Sequence, residues 1–148
     1  MEGVGQFLER CRAANVPIIF TTSKSGQGTP EGKVATALKH RSQEPLIFPD
    51  AFDKFAGGEL ERFLADHHVR NLIIVGSSTN NAVMYTASAA ARVYHYNVII
   101  PLDGVNTRNP YEHEYAIHQL TVLPRGSATP VQFSTLSAIE FHRSQTAS

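Results

Sequence analysis

A single cysteine, Cys11, leaves this chain of 148 residues without any internal disulfide framework and fits a reducing compartment. Neither sign of charge dominates: thirteen basic and thirteen acidic residues cancel, and the pI is near 7.1. Nucleic acid and anionic membrane both select a basic face, so neither is expected as a main partner. Neutrality also weakens colloidal repulsion, which makes self-association easy and a homo-oligomer the expected state. No apolar run reaches the ~18 residues of a membrane span, and no signal-peptide pattern opens the sequence. The expected location is the cytoplasm. Internal repeats and linker-like stretches are absent too, so residues 1–148 read as one domain, with 143–148 as a frayed tail. A chain of this length can bury one sizeable core, about two-thirds of its unfolded surface.

What is present is an alternation of two periods, the mark of an α/β protein. Val4, Phe7, Leu8 and Cys11 mark one face of a first helix, and residues 16–22 form a β-rich run. Residues 23–42 read as a loop with a short helix around Lys33–Lys39, followed by a short strand at Leu46–Phe48. Leu60, Phe63 and Leu64 mark a second helix that leads into an apolar strand, Asn71–Val75. Thr79 or Asn80 is the expected cap of a helix running to Tyr94. A strand at Asn97–Pro101 follows. Asn109-Pro110 then opens a last helix, with a cap residue and proline in the first turn. That helix is expected to run to about Leu123, and Val131–Phe141 could add a terminal strand.

Chemistry concentrates at Gly76-Ser77-Ser78-Thr79-Asn80-Asn81-Ala82-Val83, between the strand ending at Val75 and the small-residue helix after it. A strand that turns sharply into a helix aims free N–H groups at one point, as an oxyanion or carboxylate site requires. Where a thiolate or alkoxide would stand at the helix start there is Ala82, and a methyl group attacks nothing. The pattern Gly76-x-x-Thr79-x-x-Ala82-Val83-x-x-Thr86-Ala87 resembles the signature of the isochorismatase-like cysteine hydrolases, Gly-x-x-Thr-x-x-Cys-Val-x-x-Thr-Ala. It agrees at every signature position but the cysteine. The similarity extends through Asn97–Ile100 to Asp103. Upstream, Phe55-Ala56-Gly57-Gly58-Glu59-Leu60 is similar to the family's Phe-x-x-Thr-x-Leu segment. In all, the resemblance spans roughly residues 3 to 123.

That resemblance implies a three-layer α/β/α, Rossmann-like parallel sheet and hydrolysis of small amides, enol ethers or carboxylated substrates. It also implies a catalytic aspartate ending a first strand, a lysine after the third strand, and the cysteine. The lysine position falls near Pro49, and Lys54 is about five residues out of register. With Ala82 at the nucleophile position, the reading is a catalytically impaired relative, a pseudoenzyme. The alternative is a non-catalytic module that binds a small carboxylate or forms an oligomer. The family turn further implies a cis Ser77–Ser78 bond, with the N–H groups of Ser78 and Ala82 as anion donors. Ser77, Ser78, Thr79, Asn81 and Ala82 are therefore the candidate ligand-binding residues, and Phe55 is a candidate pocket-lining residue. No metal and no cofactor is expected.

By the same resemblance the sheet order is 3-2-1-4-5-6, and its central first strand is missing from this sequence. Such a strand buries about five apolar side chains at roughly 1.5–3 kcal/mol each, about 10 kcal/mol in sum. That rivals the net stability of an ordinary domain. Three outcomes are open: residues 16–22 pair directly with 71–75, a second chain covers both edges, or coding begins upstream of Met1. The abrupt opening on a helix favours the last.

Other motifs carry less. Ser25–Lys33 superficially resembles a phosphate loop, but Gln27 and Val34 occupy positions where the spacing demands glycine and a hydroxyl. The segment is better read as a flap beside the pocket. His113 and His118 lie five apart rather than the four of a zinc helix, and read as solvated. His67 and His68 can be satisfied by the carbonyls of a helix end. Cys11, on the apolar face of its helix, reads as a buried structural thiol, and Ala87–Ala91 as a close-packing helix face. No Gly-x-Gly-x-x-Gly follows a strand, which disfavours dinucleotide binding.

Overall fold

Apolar spacing on the first helix decides where the chain begins to pack. In the computed structural model, which describes residues 2–124 and 131–143, α1 spans Glu2–Ala13 and buries Phe7, Leu8 and Cys11. Burial pushes the Cys11 thiol up to about 11 against the pull of Arg10 and Arg12, so it is a protonated, inert core group. The strands are short: β1 at Phe20–Thr21, β2 at Leu46–Ile47, β3 at Asn71–Ile73, β4 at Gly76–Ser77, β5 at Asn97–Pro101, β6 at Val105–Asn106 and β7 at Val131–Ser134. Between β2 and β3 lies α2 (Glu59–Asp66); α3 (Met84–Arg92) and α4 (Pro110–Thr121) follow β4 and β6.

Every pairing among the described residues is parallel. β5 lies between β3 and β7, with Leu72 opposite Val98 and Ile100 opposite Phe133. Bonded on both sides and covered on both faces, β5 is an almost unbroken apolar run with Val98 and Ile100 fully buried. α2 and α3, together with Leu120 of α4, pack on one face; α1, Leu136 and Ile139 pack on the other. Ala87, Ala90 and Ala91 are at most 1% exposed, as their small size lets α3 lie close against the sheet. These are the layers of an isochorismatase-like α/β/α arrangement.

The sheet itself departs from the expected single order. Among the described residues β1 pairs only with β2, forming a sheet separate from β3-β5-β7, and β4 pairs with β6. Direct pairing of the 16–22 and 71–75 segments is thus not what the chain does. Residues of both segments contribute to the same two apolar clusters, Ile19 with Leu72 and Ile74, and Val16 and Ile18 with Ile73 and Val75.

Smaller differences have local causes. Residues 24–38 hold three single 3-10 turns, at Lys24–Gly26, Pro30–Gly32 and Thr36–Leu38, instead of a helix around Lys33–Lys39. Gly26 and Gly32 approach so closely that a Cβ on Gly32 would meet the Gly26 carbonyl; this contact folds the segment on itself. α3 ends at Arg92 rather than Tyr94, and Ser78, not Thr79 or Asn80, precedes the helical turns. At α4 the reading holds: the Asn109 side chain accepts from the Tyr111 N–H at 2.9 Å, with Pro110 in the first turn. Within 131–141 only Val131–Ser134 is strand, and residues 144–148 lie outside the described residues.

Candidate functional site

The turn after β3 is built from residues that tolerate unusual backbone. Gly76 takes φ +122°, a region open to glycine and hostile to side chains. The Ser77–Ser78 peptide bond that follows is cis, as the resemblance implied. Thr79–Val83 then forms one wide π-type turn running directly into α3, a local widening common at functional sites. Within it the Ser78 carbonyl accepts from the N–H of Asn81 (3.1 Å) and of Val83 (3.3 Å), passing over Ala82 between them. Ala82 therefore sits where helix and sheet meet, half-buried, presenting a methyl group.

The isochorismatase domain model matches residues 1–131 of this sequence. The chain belongs to the isochorismatase family. No curated protein matches it. Among solved structures it is similar to an isochorismatase family protein from Desulfovibrio vulgaris, with TM-score 0.78 and 20% identity over 93% of this chain and 82% of the other. It is also similar to N-carbamoylsarcosine amidase from Thermoplasma acidophilum, with TM-score 0.75 and 16% identity over 94% and 83%. Nicotinamidase from Bacillus subtilis aligns with TM-score 0.70 and 18% identity over 80% and 78%. At these identities the structures attest the fold alone.

Around this isochorismatase-family turn the predicted residues take distinct places. Ser77 is exposed, Ser78 and Asn81 are half-buried, and Thr79 is fully buried. Phe55 lies in the main core, its ring stacked on Tyr94 at 4.2 Å. Pro49 is buried beside β2. Lys54 is only 7% exposed, and its ammonium donates to the Ala51 carbonyl at 2.9 Å while its backbone N–H donates to Thr86 Oγ1 at 3.0 Å. Burial holds the Lys54 pKa below the usual lysine range, with Asp53 opposing. A cavity of about 520 Å3 opens beyond β2, lined by Lys24 and Gln27 of the 24–32 segment and by Phe48, Pro49, Asp50 and Gly57. Its lining includes neither Phe55 nor any residue from 77 to 82.

One partnership escaped sequence reasoning. Thr79 Oγ1 shares a 2.9 Å hydrogen bond with His113 Nδ1, tying the turn to α4. His113 is thus not the solvated helix residue expected; only His118 is exposed. Thirty-four residues separate the pair, so no local spacing could have signalled it. A hydroxyl on an imidazole has the composition of a nucleophile and its base. However, Thr79 is 0% exposed, so no substrate reaches it and the bond is a brace. Thr79→Val, which keeps the shape and removes the hydroxyl, should cost about 1–2 kcal/mol in denaturant unfolding. A cost below about 0.5 kcal/mol would show that the brace contributes nothing.

The remaining expectations are placed as follows. His67 Nδ1–H donates to the Phe63 carbonyl at 2.8 Å, a helix-end carbonyl as expected. Asn80 Oδ1 is buried without a hydrogen-bond partner among the described residues, the one side-chain acceptor on the turn left in that state. Among the described residues no group of three or more His, Cys, Asp or Glu is placed to hold a metal ion. No described helix is long and apolar enough to cross a membrane.

Proposed function

We propose that this isochorismatase-family chain is impaired in hydrolysis and that its Gly76–Val83 turn holds a small carboxylate or carbonyl compound through backbone N–H groups. The observation that carries the reading is Ala82, a methyl group where the family signature has its thiol, on an otherwise matching turn. Losing a nucleophile costs about 10⁴- to 10⁶-fold in rate. By analogy with the amidase and nicotinamidase of this fold, the ligands to test are small amides and the acids they yield. Ser78 and Ala82 would supply the donors, with Ser77, Thr79 and Asn81 shaping the turn.

The expected result is stabilisation by one or more small carboxylic acids in thermal-shift screening, with no turnover of amides or isochorismate-like enol ethers. Ala82→Cys alone should not create activity, because a thiol needs a neighbouring base to become a thiolate. Turnover by the unaltered chain at ordinary enzyme rates would overturn the reading. So would the absence of any stabilising acid.

The second reading, a subunit of a homo-oligomer, is favoured by exposed aromatics. Tyr111 and Tyr115 stack on α4, and Phe52 stacks on Tyr85, with exposures from 47% to 73%. Sedimentation is expected to give more than one copy per particle at micromolar concentration; a monomer would set this reading aside.

A further inference from the structure

Arg12 and Lys54 are both buried cations, and their surroundings differ. The Arg12 side chain, 5% exposed, meets the carboxylates of Glu44 and Glu9 and the Leu38 carbonyl. Lys54 is 7% exposed, and among the described residues its ammonium has one partner, the Ala51 carbonyl at 2.9 Å. Two of its three N–H groups are left over, and no described carboxylate forms an ion pair with it. Asp53, the acid next to it in the chain, turns Oδ1 to the Phe55 N–H instead, at 3.0 Å. Burying a charge is costly without a counter-charge, and native structures pair such groups.

The segment carrying Lys54 lies on the first turn of α3. Phe52 stacks on Tyr85 with ring centroids 6.0 Å apart. Thr86 Oγ1 donates to the Phe52 carbonyl at 3.4 Å and accepts from the Lys54 backbone N–H at 3.0 Å. Thr79–Val83 leads directly into α3, so Thr86 follows Ala82 by one helical turn, roughly 6 Å. The chain then runs on towards the far end of α3, where Phe55 stacks on Tyr94. The Lys54 ammonium goes the other way, back to Ala51, an exposed residue. A helix start carries partial positive charge of its own. An ammonium beside it, with no carboxylate between them, leaves a place that attracts an anion.

We infer that Lys54 is the counter-charge for the carboxylate of a ligand held at the Gly76–Val83 turn, so that the site selects an acid over its neutral amide. The inference rests on the ligand-binding role proposed for that turn and adds a residue that the family signature does not include. A hydrolase has to release its acid product; a site that prefers the acid is suited to keeping it.

The test follows the ε-methylene signals of the four lysines by NMR on the 13C-lysine-labelled chain. Each is titrated with pH, with and without acetate, pyruvate, benzoate or nicotinate. In the free chain Lys54 is expected to titrate below the usual lysine range, because burial disfavours its charge. A bound acid should move it back up into that range, since a nearby carboxylate favours the ammonium. Lys24, Lys33 and Lys39, all exposed, should hold still. In Lys54→Met, which fills similar space without the charge, affinity for the acid should fall at least about tenfold by calorimetry. Its preference over the matching amide, benzamide or nicotinamide, should collapse. An acid that stabilises the chain without moving Lys54, or that binds Lys54→Met equally well, overturns this inference and leaves the turn's role standing. If none of the four acids stabilises the chain or moves Lys54, both fall. The inference is equally overturned if Lys54 in the free chain already titrates at or above the usual lysine value, because a counter-charge is then in place. Should Lys54→Met not fold, the titration of the unaltered chain decides by itself.

Discussion

Glu44→Ala should destabilise the fold by about 3–5 kcal/mol in denaturant unfolding, the range for stripping one partner from a buried ion pair. Arg12 Nε and Nη2 donate to Glu44 Oε1 and Oε2 at 2.6 and 2.9 Å, with the two side chains 5% and 8% exposed. The Arg41 backbone N–H adds a third donor to Glu44 at 3.0 Å, and Arg12 also reaches the Leu38 carbonyl and Glu9. The carboxylate thus anchors the end of the long 23–44 segment to α1. Removing it leaves a guanidinium that is only 5% exposed with Glu9 and the Leu38 carbonyl as its remaining partners. Replacing both partners together, Arg12→Met with Glu44→Leu, should cost much less, because neither charge is left behind. A single-variant cost below about 1 kcal/mol would mean that water reaches Arg12 freely.

The same pair dictates a pH dependence. Hydrogen bonds from Arg12 hold the Glu44 carboxyl below its ordinary range, outweighing the opposing effect of burial. Its stabilisation is fully present above the unfolded glutamate value of about 4.3. It is lost as pH falls through the lower folded value. The acid limb of the stability profile should accordingly flatten in the paired Arg12→Met, Glu44→Leu variant.

Leu64→Ala is the second large effect, expected at about 2–5 kcal/mol. α2 has eight residues and buries only Leu60 and Leu64 outright, so one truncation removes half of its fully buried anchors. Leu64 is 2% exposed within the main cluster, and the rigid ring stack of Phe55 and Tyr94 in that cluster resists collapse into a void. The melting temperature should drop by roughly 5–20 °C for a chain of this size. A drop under about 2 °C would show that α2 readjusts and refills the space.

How much of this was legible beforehand depended on how local each signal was. α1, α2 and α4 followed from apolar spacing and from Asn109-Pro110, because the information lies within one or two turns. The turn at Gly76 was legible as a motif of eight contiguous residues. The cis Ser77–Ser78 bond came with the resemblance. The 24–38 segment was not legible, since its shape depends on Gly26 meeting Gly32, a contact that no propensity encodes. The burial of Lys54 against Thr86 and the bond from Thr79 to His113 were hidden for the same reason. Each joins residues more than thirty positions apart, and polar residues at such distances carry no periodic signature.

The parallel pairing has a kinetic corollary. Phe20 meets Leu46, Asn71 meets Asn97, Gly76 meets Val105 and Val98 meets Val131, so among the described strands no hairpin can nucleate the sheet. Every strand contact waits for a loop of twenty-six residues or more to close, an entropic toll levied before any ladder forms. Refolding from denaturant therefore belongs at the unhurried, non-local end of the range for domains of this length. During that delay the bare strands are open to wrong partners.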